Sequence, residues 1–513
     1  MNKAGPSQKV ISFPFRIGLT LISALIWVAI FPCIDAWPLA WIGLLPFFFA
    51  LSGTSAIQAF LIGWLFGSVH IAGVSYWLFN AFYFYSNAGL SVTIIFLIVI
   101  WGFVGLYFAG FAVIAAKIIQ KNTGPVVKLI MIAGLWVAVE LIRVHFLGGC
   151  PWALAGYSQY SWLNIIQIAD VTGVYGVSFL ILITNYAFFE MIQNISNFNR
   201  AFKTLWLPLC LIGVSLVYGS FRISYFSPAN LKQSSNSEMI ATIQGSVEQN
   251  ARWKMDNREA IEALYMNMTA EALKNRAKLV IWPETVIPYY LQDSIPVKLQ
   301  KMLKKSNASL ITGGPRYALE KEKFSYYNTA FYVTSQGIEK MQDKIHLLPF
   351  GEYFPLGFID VLKLRYAGPR EYVPGNTFSI FDTPVGRVGT LICWEVIFSD
   401  LARQFVKHGA DIIVNISNDS WFGRSSAHYQ HFSMSVFRAV ECRRPLVRSA
   451  NTGISGFVDL TGNITHFLKP FTEGYLLNNP GTTDKISYYC KYGDIFGFFC
   501  CILFVILFLF HRT

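Results

Sequence analysis

Long apolar segments dominate the first 222 residues of this 513-residue chain and constrain its fold more than any other feature. A helix needs about 20 apolar residues to cross the hydrocarbon core of a bilayer. Seven apolar segments, most of them about that long, follow one another, and an eighth lies near the end of the chain: residues 13–31, 37–51, 56–79, 88–118, 128–147, 171–192, 205–222 and 495–510. The pattern predicts a multi-span helical membrane domain with about eight transmembrane helices, of which the second is the shortest.

A long polar stretch separates the seventh apolar segment from the eighth. It predicts three parts: a bundle of about seven helices in 1–222, a globular domain in 223–493, and a C-terminal membrane helix in 494–513. Composition agrees, because 54% of the residues are hydrophobic and only 14% are charged, unlike an ordinary soluble protein.

Basic residues predict the orientation of the chain in its membrane. They collect before the first helix, between the fourth and fifth, between the sixth and seventh, and after the last: Lys3, Lys9, Arg16, Lys121, Lys128, Arg200, Lys203 and Arg512. All these positions fall on one side, which the positive-inside rule assigns to the cytoplasm. Both termini should therefore be cytoplasmic and the globular domain external, which in a bacterium means periplasmic.

The net charge of +12 forms no basic stripe, so a nucleic-acid partner is not expected. The eight cysteines lack the paired spacing of a metal site, and neither a metal nor a cofactor is predicted. Cys442 and Cys490 are interpreted as packed thiols. Within the fifth apolar segment, Glu140 and Arg143 stand three residues apart and are interpreted as an ion pair near a helix end, with Arg143 reaching towards the interface.

The polar stretch alternates short apolar strands with amphipathic helices. Strands are predicted at 239–244, 278–282, 309–313, 328–334, 387–393, 411–417, 446–450 and 454–460. Helices are predicted at about 256–275, 295–305, 398–408 and 428–442. This alternation is typical of a layered α/β domain with buried sheets.

Three residues at strand ends carry the candidate chemistry. Cys393 follows an apolar strand, Glu284 follows Ile-Trp-Pro at the end of another, and Lys344 precedes an apolar run. Singly they are ordinary: a packed cysteine, a solvated loop glutamate and a surface lysine. Together they suit acyl transfer through a thioester, because a carboxylate accepts the thiol proton, the thiolate attacks a carbonyl, and an ammonium stabilises the oxyanion.

The segments around these residues resemble the Glu, Lys and Cys motifs of the nitrilase superfamily, in that family's order. They read WPET at 282–285, DKIHLLPFGEY at 343–353 and LICWE at 391–395. The surrounding helices and three further segments resemble its apolipoprotein N-acyltransferase branch: QGSVEQNARWK at 244–254, SNDSWFG at 417–423 and RRPLVRSANTG at 443–453. The resemblance covers nearly the whole chain and implies an α-β-β-α sandwich for the globular domain.

The resemblance also implies roles for individual residues. Cys393 would be the nucleophile, Glu284 the general base and Lys344 the oxyanion-stabilising cation. The supporting or substrate-binding residues would be Trp253, Glu352, Trp394, Glu395 and Asn418. For two of these a plainer reading stays open, since Glu352 could cap a turn and Asn418 could belong to an ordinary turn. The family more often has tyrosine where this chain has Trp394, which leaves the role of that ring open.

The implied reaction takes an acyl chain from a phospholipid, phosphatidylethanolamine in particular, onto Cys393. It then transfers the chain to the N-terminal amine of diacylglyceryl-cysteine on an apolipoprotein, in a ping-pong scheme. The partners would be the phospholipid, the apolipoprotein and the bilayer of the inner membrane. The aromatic residues of 347–358, with Trp421 and Phe422, are interpreted as flaps that touch the membrane.

Two other functions are compatible with parts of the pattern. A membrane-tethered amidohydrolase would use the same three residues with water as the second nucleophile, although a small polar substrate would not require eight helices. A transporter or scaffold that merely binds lipoproteins would tolerate replacement of Cys393.

Overall fold

The structure is a computed structural model that describes residues 11–85, 89–195, 198–227, 238–249, 257–286, 289–320, 322–354 and 371–511. Helices fill the first part of the chain. They are α1 (Phe13–Ala29), α2 (Leu45–Leu51), α3 (Ala56–Val74), α4 (Leu78–Tyr85), α5 (Leu90–Gln120), α6 (Pro125–His145), α7 (Leu163–Ile166), α8 (Ala169–Thr172), α9 (Val174–Gln193) and α10 (Phe198–Tyr225). Short 3₁₀ turns at Trp37–Trp41, Phe146–Gly148 and Ala155–Gln159 interrupt them.

Within the ranges that the structure describes, five helical segments are long and apolar enough to cross a membrane: Ala56–Val74, Leu90–Gln120, Pro125–Gly148, Val174–Gln193 and Phe202–Tyr225. Four shorter apolar helical segments accompany them, at Phe13–Ala29, Trp37–Leu51, Leu163–Thr172 and Ile495–Phe510. The multi-span helical domain is therefore confirmed, and the count of eight spans stays a prediction. The second predicted span is broken into two pieces, each with a proline in its first turn.

Glycines on α3 allow close packing against α5. A Cβ atom added at Gly63 would lie 2.4 Å from the Cβ of Ala112, and one at Gly67 would lie 2.5 Å from the Phe108 ring. Small residues four apart allow two helix backbones to approach closely, which is how helices gain packing energy in lipid. Larger residues at either position would push the two helices apart.

Glu140 and Arg143 are not the predicted ion pair at a helix end. Both side chains are buried, and no nitrogen of Arg143 lies within ion-pair distance of Glu140 among the described contacts. The Glu140 carboxylate instead accepts hydrogen bonds from the Trp136 indole at 2.9 Å and the Ala155 backbone N–H at 2.8 Å. Arg143 donates to the Trp152 carbonyl at 3.1 Å. The described partners of both side chains lie within the protein, on α6 and on the segment that follows it, and Arg143 is buried rather than reaching to the interface.

The α/β domain contains two six-stranded sheets. In chain order the strands are β1 (Met239–Gln244), β2 (Ala277–Ile281), β3 (Ser309–Glu320), β4 (Lys323–Thr334), β5 (Gly337–Asp343), β6 (Ile380–Thr383), β7 (Gly386–Ile392), β8 (Ile412–Ser417), β9 (Leu446–Ala450), β10 (Ser455–Val458), β11 (Ile464–Leu468) and β12 (Gly474–Asn478). One sheet has the order β12-β1-β2-β3-β4-β5 and the other β11-β10-β9-β8-β7-β6. The centre of each sheet is parallel, through β1-β2-β3 and β7-β8-β9.

Helices cover the outer faces of the two sheets. The remaining helices are α11 (Arg258–Lys274), α12 (Val297–Ser306), α13 (Ser399–Lys407), α14 (Ala427–Cys442), α15 (Tyr488–Tyr492) and α16 (Ile495–Phe510). The inner faces contact each other through β1 and β9, where the Thr242 hydroxyl donates to the Arg448 carbonyl and the Ser449 hydroxyl to the Ile243 carbonyl. The resulting α-β-β-α sandwich confirms the predicted fold class.

The α/β domain and the membrane helices share an extensive contact, the seam, which joins the segment 152–170 to residues 430–461. The Trp152 indole donates to the Gln430 side chain at 2.8 Å, and the Gln167 amide donates to the Thr461 carbonyl at 2.8 Å. Arg443, directly after α14, pairs with Asp170 of α8 at 2.7 Å. These bonds fix the α/β domain relative to the helical bundle rather than leaving it on a flexible tether.

Candidate active site

The carboxyl ends of parallel strands bring the predicted residues together. Glu284 follows β2, whose path is fixed where the Trp282 backbone N–H donates to the Ile311 carbonyl at 2.9 Å. Pro283 ends the ladder at that point, because it has no N–H to donate. The Glu284 side chain is buried and accepts from the Asn328 amide at 2.7 Å and the Asn418 backbone N–H at 3.0 Å. Its carboxylate is thus held at the edge of both sheets.

Lys344 lies directly after β5 and points into the same space. Its backbone N–H donates to the Asn328 carbonyl at 2.8 Å, and its side chain is only 1% exposed. The ammonium is 2.9 Å from a Glu352 oxygen and 3.5 Å from a Glu284 oxygen. The lysine is therefore a buried cation between two carboxylates, and the surface-lysine alternative is wrong.

Cys393 follows β7 in a left-handed backbone conformation, with a φ of 56°. This conformation is costly for a residue with a Cβ atom, and it persists where the surroundings fix the backbone. Asn415 of β8 supplies that restraint, because its side-chain amide donates to the carbonyls of Leu391 and Cys393, each at 3.0 Å. The turn places the buried thiol at the end of β7.

Opposite effects act on the thiol and the ammonium. Burial raises the pKa of the Cys393 thiol, and the Glu284 carboxylate raises it further, whereas Lys344 opposes both. Burial alone would lower the pKa of Lys344, but the Glu352 and Glu284 carboxylates outweigh burial and raise it. The resting site therefore holds a neutral thiol beside a fixed ammonium, so the thiol requires a base before it can attack.

Glu352 connects to Lys344 and also fixes its own loop. One carboxylate oxygen accepts from Lys344 and from the Asn328 amide at 2.6 Å, and the other accepts from the Leu348 backbone N–H at 2.7 Å. A turn-capping role for Glu352 would account only for the bond from the Leu348 N–H. Its principal contact is with the cation of the site.

Glu395 holds two catalytic segments together without touching the ammonium. Its carboxylate accepts from the Ile392 N–H at 2.7 Å, beside the nucleophile, and from the Ile345 and His346 N–H groups at 2.7 and 2.9 Å, beside Lys344. Burial raises the pKa of Glu395 to about 7, and the backbone N–H groups oppose that rise.

The other predicted residues differ in their relation to the site. The Asn418 side chain donates to Gln249 at 2.8 Å while its backbone N–H binds Glu284, so it borders the site directly. The Trp394 indole donates to the His346 carbonyl at 2.6 Å and its ring contacts Phe398, which makes it part of the packing behind the Lys344 segment. Trp253 lies outside the described residues.

A buried polar cluster behind the site was not predicted from the sequence. Asp419 accepts from Arg448 at 2.8 Å, and it contacts His431 at 3.2 Å and the Ser417 hydroxyl at 2.6 Å. Arg448 also donates to Asn415, which holds the Cys393 turn. Charged residues inside the apolar segments of β9 and α14 are the only sequence signal for this cluster. Among the described residues, no group of three or more His, Cys, Asp or Glu side chains is placed to hold a metal ion.

Aromatic residues link the predicted flaps to the membrane helices. The Phe350 ring lies 5.9 Å from that of Phe82 on α4 and 5.0 Å from that of Phe96 on α5. Trp421 lies 4.8 Å from Tyr85, and the Asn80 amide donates to the Phe422 carbonyl at 3.0 Å. The loops around the site therefore contact helices of the membrane domain, while 355–358 of the first flap lie outside the described residues.

Comparisons with known proteins agree with this arrangement. Residues 23–187 match the family described as apolipoprotein N-acyltransferase N-terminal domain, and residues 239–479 match carbon-nitrogen hydrolase. The chain is 35% identical over 490 residues to the apolipoprotein N-acyltransferase of Geobacter metallireducens, covering 94% of this chain and 92% of that relative. The chain belongs to the apolipoprotein N-acyltransferase family. A second member, from Rickettsia typhi, is 32% identical over 463 residues, 87% of this chain and 88% of its own length.

Solved structures from the same superfamily are more distant than these members of the apolipoprotein N-acyltransferase family. An amidase from Nesterenkonia sp. AN1 is 16% identical with a TM-score of 0.36, covering 49% of this chain and 92% of the amidase. The NitFhit protein of C. elegans is 20% identical with a TM-score of 0.38, covering 48% of this chain and 60% of its own. Family membership makes the chain an acyltransferase of the nitrilase superfamily, and the amidohydrolase alternative is not favoured.

Proposed function

We propose that this protein transfers an acyl chain from a phospholipid, through a thioester on Cys393, to the N-terminal amine of diacylglyceryl-cysteine on apolipoproteins. The observation that carries the proposal is the meeting of Cys393, Glu284 and Lys344 at one buried edge of the sandwich. The similarity to named apolipoprotein N-acyltransferases over 94% of the chain supports the choice of substrates.

The first half-reaction needs a base because the resting thiol is neutral. Glu284 takes the proton from the Cys393 sulfur as that sulfur attacks the ester carbonyl of the phospholipid. The Lys344 ammonium stabilises the negative oxygen of the tetrahedral intermediate. When the ester C–O bond breaks, Glu284 returns the proton to the leaving oxygen. A lysophospholipid departs and the acyl chain stays on sulfur.

The second half-reaction reverses these proton movements with a different nucleophile. The amine nitrogen of the lipoprotein attacks the thioester carbonyl, Glu284 accepts a proton from that nitrogen, and the C–S bond breaks. The Cys393 sulfur then regains its proton, and an amide remains on the lipoprotein. Water competes with the amine for the thioester, so the aromatic contacts between the loops and membrane helices favour transfer over hydrolysis.

The proposed orientation of the enzyme in its membrane is based on its basic loops and on the contact between the α/β domain and the membrane helices. The proposed parts are a membrane bundle over 1–222, a catalytic domain over 223–493 and a C-terminal helix over 494–513. With basic loops in the cytoplasm, the catalytic domain lies in the periplasm at the surface of the inner membrane. A site held there by the seam meets lipid esters and lipoprotein N-termini at high local concentration.

The decisive experiment isolates the first half-reaction. Purified full-length protein in detergent is incubated with labelled phosphatidylethanolamine and without an acceptor, and the mass of the intact protein is measured before and after hydroxylamine. We expect one acyl group that hydroxylamine removes, and none on Cys393→Ala. Cys442→Ala is the matched control. That thiol is also buried, but it lies at the C-terminal end of α14, whose N-terminal end contributes His431 to the cluster behind the active site.

An acceptor lipopeptide with a free diacylglyceryl-cysteine amine then tests the second half-reaction. The acyl group should leave the enzyme and appear on the peptide. If the folded wild-type protein acquires no acyl group from phosphatidylethanolamine, the phospholipid-donor scheme is wrong.

A further inference from the structure

A cavity of about 350 Å³ lies at the seam between the membrane helices and the α/β domain, apart from the active site. Its charged lining residues are Asp170, Arg222, Arg443 and Lys485. Tyrosine rings from both parts of the molecule border it: Tyr218, Tyr225 and Tyr488. The acyl-transfer scheme assigns no role to any of these residues.

The cavity lies far from Cys393. The amino end of α14 contributes His431 to the cluster behind the active site, whereas Arg443 follows the opposite end of the same helix. Their separation of 12 positions corresponds to roughly 18 Å of helix. A molecule in the cavity is therefore not the acyl donor in its reactive position.

The cavity lies at the level where a membrane's polar headgroups are found. The apolar segment of α10, Phe202–Tyr225, has 24 residues. It would extend about 36 Å, more than the ~30 Å hydrocarbon core. Arg222 in its last turn therefore lies in the interface. Tyr225 and Tyr488, 44% and 65% exposed, have the amphipathic rings that gather at that level.

Positive charge exceeds negative charge in the lining. Asp170 is paired with both arginines, at 2.5 Å for Arg222 and 2.7 Å for Arg443. Lys485 adds a third cation, and no described residue accepts a hydrogen bond from its ammonium. Three cations against one carboxylate leave two positive charges facing the cavity, which suits an anion.

An apolar path on α10 leads to this charge. Val214, Val217 and Phe221 are 68%, 73% and 61% exposed. Their spacing of three and four residues places them on one face of the helix, and Tyr225 continues that face to the rim of the cavity. Acyl chains lying along this face would end with their headgroup at Arg222 and Lys485.

We propose that the cavity binds the phosphodiester headgroup of a membrane phospholipid that is not the acyl donor. Because the lining carries two excess positive charges, a headgroup with a net negative charge, such as phosphatidylglycerol, binds more tightly than zwitterionic phosphatidylethanolamine. The bound lipid joins α10 to the catalytic domain at the seam. This inference goes beyond acyl transfer, and its test measures binding without turnover.

The test uses full-length protein in detergent and short-chain phosphatidylglycerol, with bound lipid counted by native mass spectrometry across a lipid titration. Lys485→Gln removes one exposed cation of the lining. Lys491→Gln is the matched control, since it makes the same change on an exposed residue of α15 outside the cavity. We expect the Kd to rise about five-fold in Lys485→Gln and to stay unchanged in Lys491→Gln.

A second variant tests the lining, and two competition measurements identify the ligand. Arg222→Gln should weaken binding by a similar factor, because Asp170 keeps Arg443 as its partner. Wild-type affinity in both Lys485→Gln and Arg222→Gln would overturn the site. If inorganic phosphate displaced the bound lipid at the same concentration as competing short-chain lipid does, the cavity would be a site for free anions. Equal affinity for phosphatidylethanolamine and phosphatidylglycerol would overturn the charge preference.

Discussion

Two buried ion clusters in this molecule have opposite compositions. At the active site one cation, Lys344, lies between two carboxylates, Glu284 and Glu352. At the seam one carboxylate, Asp170, lies between two guanidinium groups, Arg222 and Arg443. The carboxylate in excess beside Cys393 suits the proposed proton acceptor, whereas the ion pairs of Asp170 at the seam fasten membrane helices to the α/β domain. Composition alone therefore separates a cluster suited to chemistry from one suited to assembly.

The sharpest way to break this comparison is to remove Arg443. Arg443→Met leaves the buried Asp170 with one cation and removes bonds to Gln167 and Leu460. Loss of one partner from a buried pair costs about 3–5 kcal/mol. We expect a clearly lower Tm in detergent, with Cys393 acylation at low temperature near the wild-type rate.

Arg387→Ala is the control for that substitution. The Arg387 side chain, which pairs with Asp411, is 55% exposed. Exposed ion pairs of this kind contribute about 0–1 kcal/mol to the free energy of unfolding. Its Tm should stay close to that of wild type. A Tm for Arg443→Met equal to that of Arg387→Ala would mean that the seam pair does not fasten the domain.

Removing the cation of the other cluster should affect the reaction. Lys344→Met deletes the group proposed to stabilise the oxyanion, and loss of one such group costs about 10²–10³ in rate. We expect single-turnover acylation of Cys393 to slow by that factor in protein that elutes as wild type on size exclusion. Wild-type acylation would assign Lys344 a purely structural role.

The raised pKa of Cys393 predicts how its reactivity depends on pH. A thiol below its pKa gains about tenfold in thiolate per pH unit, so alkylation of free enzyme by iodoacetamide should rise about 100-fold from pH 7 to 9. Peptide mass spectrometry that quantifies the Cys393 peptide follows the reaction. Levelling of the rate near neutral pH would indicate a preformed thiolate and would remove the need for Glu284 as a base.

Replacing Glu352, the second carboxylate beside Lys344, should have the smallest effect on acylation. Glu352→Gln keeps an acceptor near Lys344 but removes the charge, and a hydrogen bond to a charged group contributes about 1.5–3 kcal/mol. Acylation should therefore slow by about 10- to 100-fold. Glu339→Gln on exposed β5 should react as wild type; a similar slowing there would show a general charge effect instead.

The sequence predicted the parts of this molecule that local pattern determines. Apolar length predicted the membrane helices, and strand ends followed by Pro-Glu, Lys and Cys predicted the candidate residues that the structure brings together. It missed β5, β6, β11 and β12, because edge strands such as Ile464–Leu468 carry polar residues and lack a continuous apolar pattern.

The supporting network could not be predicted because it depends on contacts between distant segments. Asn328 binds both Glu284 and Glu352 from the middle of an apolar strand, and Asp419 pairs with Arg448 across 29 positions. Glu140 and Arg143 were misinterpreted for the same reason: spacing on one helix suggested a local pair, whereas residues 152 and 155 provide their partners.

Glu395 has a consequence for exchanging segments between members of this family. Its carboxylate accepts N–H groups from the strand that carries Cys393 and from the segment that carries Lys344. A chimaera that imports only one of these segments would combine a Glu395 contact from one protein with backbone N–H groups from another, so the distance between the two segments would no longer match. The two segments therefore form one transferable unit, and recombination boundaries belong outside 343–395, where a donor's nucleophile and cation arrive in the geometry they share.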